Sequence, residues 1–73
     1  MNSYLVTVTV TLTDRDTSKY SIEIPVQAKT AAHAKRIAHK AASQMCDCYK
    51  AARQMCDCYI TDLVAERRYE NES

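Results

Sequence analysis

The chain has 73 residues, 47% of them hydrophobic, and a formal net charge of +1, from ten Lys and Arg against nine Asp and Glu. This length fits one small domain with little room for an enclosed catalytic cleft, so we predict a binding or regulatory role, with neither enzymatic activity nor a cofactor. The near-neutral charge argues against a general nucleic-acid binder, and the lack of Gly with a single Pro argues against a loop-rich, disulfide-stapled secreted fold.

The first residues contain neither a basic region nor a continuous apolar run, so we expect no signal peptide. No apolar stretch reaches the ~18 residues that a membrane-spanning helix needs. We therefore expect a cytosolic protein that does not contact a membrane. In that compartment its four cysteines would be reduced.

Two segments near the N-terminus alternate with the period of a β-strand. In residues 4–13, Tyr4 and a series of aliphatic side chains alternate with Leu5 and a series of threonines, and residues 20–27 alternate apolar with polar side chains. This alternation of β-branched residues predicts strands. Residues 14–18 are polar and predict a turn. We therefore predict a β-hairpin over about residues 3–13 and 19–27, covered on one face only.

A long amphipathic helix is predicted to follow the hairpin. Thr30 is a suitable N-cap residue, and apolar side chains then recur in steps of three and four as far as Leu63, which predicts one helix over about residues 31–64. The fold class is thus α+β with the order β-β-α, in a single domain of residues 1–65, followed by a polar, disordered tail of residues 66–73. The predicted core-facing residues are Ala34, Ile37, Ala38, Ala41, Met45, Cys48, Ala52, Met55, Cys56, Tyr59 and Leu63.

This predicted helix is longer than the hairpin that it covers. More than thirty helical residues span ~50 Å, whereas a ten-residue strand spans ~33 Å. About three turns would then project beyond the sheet, and their apolar side chains need another surface. Because no Gly or Pro marks a turn within the helix, we favour a partner or a second copy of the chain over a folded-back segment.

A tandem repeat occupies the middle of the predicted helix. Residues 40–49 and 50–59 are identical at nine of ten positions, Ser43 and Arg53 being the one difference. Ten residues advance a helix by ~1000°, about 80° short of three turns. The second copy would therefore face a different direction, with Cys46 on the flank and Cys58 on the polar side. We interpret the repeat as a duplication that lengthens the helix.

The repeat contains all four cysteines, which leaves a cysteine-based metal or redox module as an alternative. The spacing disfavours zinc, because the two cysteines of each pair are separated by one residue and point to opposite sides of a helix. A disulfide within such a pair would be strained. His33 and His39 precede the repeat and are predicted to be solvated. We assign no catalytic, cofactor-binding or metal site.

The first strand is the predicted site of partner binding. It carries no charge and no Pro from residue 3 to residue 13, whereas Lys19, Glu23 and Pro25 protect the second strand. An unprotected edge of this kind favours pairing with a strand of another protein or of a second copy, unless a loop or the tail covers it. The predicted contact residues are Leu5, Thr7, Thr9 and Thr11.

A basic band on the exposed helix side is the second predicted contact region. It consists of Lys35, Arg36, Lys40, Lys50 and Arg53. Such a band is either a solvated face or a surface that lies near nucleic acid or an acidic protein. No aromatic side chains accompany it for base stacking, so we do not expect sequence-specific readout.

In its length, its hairpin-helix plan and its basic helix, the chain resembles small bacteriophage host-takeover proteins, in particular phage-encoded regulators that bind bacterial RNA polymerase. The resemblance covers the architecture of residues 1–65. It implies inhibition of transcription or antitermination through a protein–protein interface in the host bacterial cytosol. Small anti-CRISPR proteins that act by protein contact are similar at this level and form the alternative. A homodimer is compatible with either function.

Overall fold

The computed structural model describes residues 1–13, 16–52 and 57–68. Three strands, β1 (Asn2–Thr13), β2 (Thr17–Ala28) and β3 (Asp57–Arg68), form an antiparallel sheet in the order β2-β1-β3. One helix, α1 (Ala31–Ala52), lies between β2 and β3 in the chain and packs on one face of the sheet. The protein is therefore an α+β fold, as predicted, in which α1 connects two strands that flank β1.

The predicted hairpin is confirmed. β1 pairs with β2 over its whole length, from Asn2 opposite Ala28 to Thr13 opposite Thr17. The alternation of the sequence sets which face each side chain takes. Val6 and Val8 are fully buried beneath the helix, while Thr7 and Thr9 lie on the opposite face.

The beginning of α1 also follows the prediction. The Thr30 hydroxyl accepts a hydrogen bond from the His33 amide at 3.1 Å, and the Thr30 carbonyl accepts one from the Ala34 amide at 3.0 Å. The first bond satisfies one of the amides that a helix leaves unpaired at its N-terminus, and the second is the first regular bond of the helix. At the same end of the molecule, Asn2 donates from its side chain to the Lys29 carbonyl at 3.3 Å.

The predicted extent of the helix was wrong. The helix ends at Ala52, and a third strand begins at Asp57. A projecting helix end would have left its apolar side chains in water, whereas β1 offered an unpaired edge and a hydrophobic face to a returning strand. Residues 53–56, between the two elements, lie outside the described residues. Residues 66–68, predicted to belong to the tail, are the end of β3.

The core is built from small residues on the helix and branched residues on the sheet. Its buried helix positions are Ala34, Ala38, Ala42 and Cys46, a spacing of four that brings the helix axis close to the strands. Their neighbours on the sheet include Tyr4, Val6, Val8, Val10 and Cys58.

The core-facing side of the helix differs from the prediction. Cys46 is buried, whereas Cys48, Met45 and Ile37 are exposed. The helix makes its most extensive contact with β3, a strand that the sequence analysis did not foresee. This contact turns the Cys46 side of the helix inward and leaves the Met45 side open.

Candidate functional site

The outer face of the sheet, opposite α1, is not covered by any other described element. Its central row comes from β1, where Leu5, Thr7 and Thr9 are half-buried between their neighbours and Thr11 is buried. These are the four residues that we predicted to contact a partner. They lie together on one face, but the reason given for them was wrong, because β1 is the central strand and pairs along both edges.

One end of this outer face carries a cluster of hydroxyl groups. The Thr11 and Thr61 hydroxyls are 3.2 Å apart, and Thr61 also donates to the Thr9 carbonyl at 3.3 Å. The Thr13 hydroxyl is hydrogen-bonded to the Tyr59 hydroxyl at 3.3 Å. Thr61 reaches β1 because the pairing register of β3 shifts beside Thr9, a β-bulge that adds one residue. The cluster fixes these side chains relative to one another.

The flanks of the outer face combine apolar and charged side chains. On β3, Tyr59 is 49% exposed and Val64 is 52% exposed, and each lies directly opposite a threonine of β1. On β2, Lys19 and Glu23 lie opposite Thr11 and Thr7. Tyrosine is enriched at protein-binding surfaces, and the exposed Tyr59 is held in place here by its hydrogen bond to Thr13.

At the other end of the sheet, an open depression of about 660 Å³ is lined by residues 3–5, 25–27 and 66–68. Leu5 lies between Pro25 on β2 and Glu66 on β3. The depression is shallow and mixes charged with apolar groups, so it suits a side chain of a partner protein better than a buried small molecule. It extends the outer face rather than forming a separate cleft.

The basic band lies on the opposite side of the molecule. Lys35, Arg36, Lys40 and Lys50 are all exposed on α1, away from the sheet, and Arg53 lies outside the described residues. The structure therefore does not bring the two sets of predicted contact residues together. A partner that covers the outer face of the sheet would leave the basic side of the helix accessible.

Cys46 and Cys58 form a disulfide between α1 and β3, with their Cα atoms 5.3 Å apart. This pairing differs from our expectation of four reduced cysteines and also from a bond within one Cys-x-Cys pair. Cys48 has a free, exposed thiol, and Cys56 lies outside the described residues. Within residues 1–13, 16–52 and 57–68, no group of three or more His, Cys, Asp or Glu could hold a metal ion.

Tyr59 and Val64 are the surface residues that the sequence analysis missed. The helical spacing predicts Tyr59 on the core side of a helix and indicates no role for Val64. The useful signal was the β-branched and aromatic content of residues 59–64, which favours a strand. The bulge at Thr61 hid the period-two pattern, because it moves the inward-facing positions from even to odd numbers.

The chain matches no protein-family model, no curated protein and no solved structure. Within the described residues, no helix combines the length and the apolar character needed to cross a membrane.

Proposed function

We propose that the chain is a protein-binding regulator that docks through the outer face of its sheet, and that its target is bacterial RNA polymerase. The observation that supports docking is the uncovered central row of Leu5, Thr7 and Thr9, held by β2 and β3 on either side. The architectural resemblance to phage regulators supplies the target. The consequence would be inhibition of transcription or antitermination in the host cytosol.

The size of the outer face suits this role. Three strands of twelve residues cover an area ~40 Å long and ~14 Å wide. With the flanking side chains, this approaches the ~800 Å² that each partner contributes to a standard interface. Because β1 is hydrogen-bonded along both edges, this face needs little ordering when it binds, which limits the entropic cost of association.

Docking by this face leaves the basic side of α1 directed away from the interface. Lys35, Arg36 and Lys40 could then approach nucleic acid held by the polymerase, or an acidic surface next to it, through long-range electrostatics. This arrangement predicts that the outer face and the basic side contribute separately to the affinity for polymerase. The outer face would determine the affinity for the protein, and the basic side would add a salt-dependent term.

The test is a pair of charged substitutions in the central row. Thr7→Lys with Thr9→Lys places each new ammonium group opposite a carboxylate, since Thr7 pairs with Glu23 and Thr9 pairs with Asp62. These cross-strand pairs should preserve the fold. The bulk and charge should weaken binding to purified polymerase core enzyme at least about tenfold, as expected for charges placed at the centre of an interface.

The matched control places the same two charges on the helix. Ala32→Lys with Gln44→Lys changes exposed positions of α1, on the element that faces away from the interface, and should not weaken the affinity. Binding is measured by biolayer interferometry, and function by run-off transcription with the same enzyme. Unchanged affinity of the Thr7/Thr9 variant, with an intact far-UV circular dichroism spectrum, would exclude the outer face. No binding of the wild-type chain to polymerase would exclude this target, and a CRISPR effector would be the next one to test.

A redox-responsive module is the second candidate, and the disulfide between Cys46 and Cys58 favours it. In a reducing cytosol this pair would be a dithiol, and two buried thiols in the same place would still pack as small apolar groups. A dithiol reductant would supply two electrons and two protons, converting the disulfide to two thiols and becoming oxidised itself. Polymerase binding measured with and without dithiothreitol tests this candidate. Equal affinity would exclude redox control of binding.

A further inference from the structure

The helix side of β2 is only partly covered by α1. Because α1 leans toward β3, an apolar groove remains between its C-terminal half and β2. Tyr20 and Met45 are each 54% exposed on the two sides of this groove, and Ile22 is half-buried in it. The cavity at its base has a volume of about 180 Å³ and almost entirely apolar walls.

β2 is an edge strand of the sheet, and its outer edge lies next to this groove. No described segment pairs with that outer edge. Pro25 has no amide hydrogen, so within an edge strand its nitrogen faces away from the neighbouring strand. Because β-strand amides alternate in direction, the odd-numbered residues of β2 then present their N–H and C=O groups to the open edge. Among these odd-numbered residues of β2, Pro25 is the one that has no N–H group to donate.

The edge of β3 is better protected. Its ladder contains the bulge at Thr61, its helix side is covered by α1, and charged residues line it from Asp57 to Arg68. Bulges and charges are the usual defences of an edge strand. β2 also carries Lys19, Glu23 and Pro25, but it has no bulge, and its two charges are of opposite sign. Tyr59 and Val64 of β3 are exposed on the outer face only, so β2 is the described edge strand that has an exposed apolar side chain on the helix side.

We propose that two copies of this chain dimerise by antiparallel pairing of their β2 strands about a two-fold axis at Ser21. The charges on β2 support this register. Lys19 and Glu23 both lie on the outer face, two residues on either side of Ser21. A two-fold axis at Ser21 sets Lys19 of each copy opposite Glu23 of the other, forming two cross-strand ion pairs.

The same register is favourable on the helix side and in the backbone. Tyr20 of each copy lies opposite Ile22 of the other, so that the exposed apolar side chains of the groove cover one another. The open-edge amides of residues 17–23 then find carbonyl partners, and Pro25 meets Thr17 only at the two ends of the ladder. The result is a six-stranded antiparallel sheet with a self-complementary interface.

The two helices do not obstruct this pairing. Three strand spacings, or ~14 Å, separate the two central β1 strands in the dimer, and each helix lies on the β3 side of its own sheet centre. Helices in contact need only 8–10 Å between their axes. The remaining space accommodates Tyr20, Ile22 and Met45 from both copies. The dimer would also place two outer faces side by side, although dimerisation does not depend on what that face binds.

Charge reversal on β2 provides the test. Glu23→Lys leaves Lys opposite Lys at both symmetric positions, and Lys19→Glu leaves Glu opposite Glu. Each variant alone should dimerise at least about tenfold more weakly than the wild type, because two attractive pairs become repulsive. An equimolar mixture of the two variants should form a heterodimer, since every Lys then meets a Glu again. Oligomeric state is measured by sedimentation equilibrium against the monomer mass of 8.3 kDa.

Glu66→Lys is the matched control, because it makes the same charge change on the outer face of β3 and should leave dimerisation unchanged. Circular dichroism confirms that each variant is folded. A wild-type chain that stays monomeric at several hundred micromolar would overturn the proposal and leave the β2 edge to a strand of another protein. A dimer that neither reversal weakens, or no recovery in the mixture, would overturn the register centred on Ser21.

Discussion

Cys46 on α1 and Cys58 on β3 are joined by a disulfide, although they occupy different positions in the two copies of the repeat. Cys46 is the first cysteine of its copy, and Cys58 is the second cysteine of the other. Both are 5% exposed, so the bond lies in the core and connects the end of the helix to the beginning of the strand. The duplication has thereby supplied a link between two elements rather than two equivalent sites.

Loss of this disulfide should lower the free energy of unfolding by about 3 kcal/mol, since it closes a loop of 12 residues in the unfolded chain. Urea unfolding with and without dithiothreitol measures the effect. Cys58→Ala should remove the sensitivity to reductant. Cys48→Ala changes the exposed free thiol and should keep both the wild-type stability and that sensitivity. Loss of sensitivity in Cys48→Ala would show that a different pair is bonded.

The repeat also shows why part of the fold could not be predicted from local sequence. The tripeptide Asp-Cys-Tyr is helical at residues 47–49 and is a strand at residues 57–59. The intrinsic propensity of the tripeptide is the same in both copies, so the difference comes from the residues that follow it and from tertiary contacts. In the second copy, Cys58 pairs with Leu12 of β1. Leu12 is distant in the sequence, so short-range periodicity cannot reveal this contact.

The hairpin and the helix start were predictable because their signals are local. Residues 4–13 keep one uninterrupted alternation, and Thr30 caps the helix through its own side chain. β3 was missed because the bulge at Thr61 breaks its alternation, while Cys56, Tyr59 and Leu63 happen to fit helical spacing. The threonine row was correctly placed on one face of the sheet, but the positions of Tyr59 and Val64 beside it depend on β3, which was not predicted.

The same substitution, Val→Ala, should destabilise the protein much more on the helix side of the sheet than on the outer face. Val8→Ala should lower the free energy of unfolding by about 2 kcal/mol, since Val8 is fully buried and the lost methyl groups leave a cavity. Val64→Ala removes the same atoms from a side chain that is 52% exposed and should cost less than about 0.5 kcal/mol. Urea unfolding of both variants measures the difference. Similar costs would contradict the assignment of the buried face.

The N-cap of α1 can be tested in the same way. Thr30→Ala removes the hydroxyl that accepts from the His33 amide at 3.1 Å and should cost about 1 kcal/mol of stability. Thr30→Ser retains an acceptor at this position and should cost at most a few tenths of that amount. If the two variants are equally stable, the hydroxyl does not contribute to capping.

Deletion of residues 50–59 tests what the second repeat copy contributes. The deletion joins Tyr49 to Ile60, so one Asp-Cys-Tyr must serve as either the helix end or the strand start. We expect the strand to take it, because pairing with β1 covers the hydrophobic face, while α1 shortens to about residue 42. A twelve-residue helix spans ~18 Å, less than half of the ~40 Å length of β1, so the helix would cover the core incompletely.

The shortened chain should therefore lose close to half of its helical circular dichroism signal and unfold at a lower urea concentration. The amides of Val6 and Val8 should still be the last to exchange with deuterium, because the centre of the sheet is retained. Polymerase binding by the outer face should persist, since Thr7, Thr9 and Val64 are unchanged. An undiminished helical signal would mean that the remaining copy stays helical and that β3 begins later. Loss of binding with the sheet intact would make the second copy part of the functional surface.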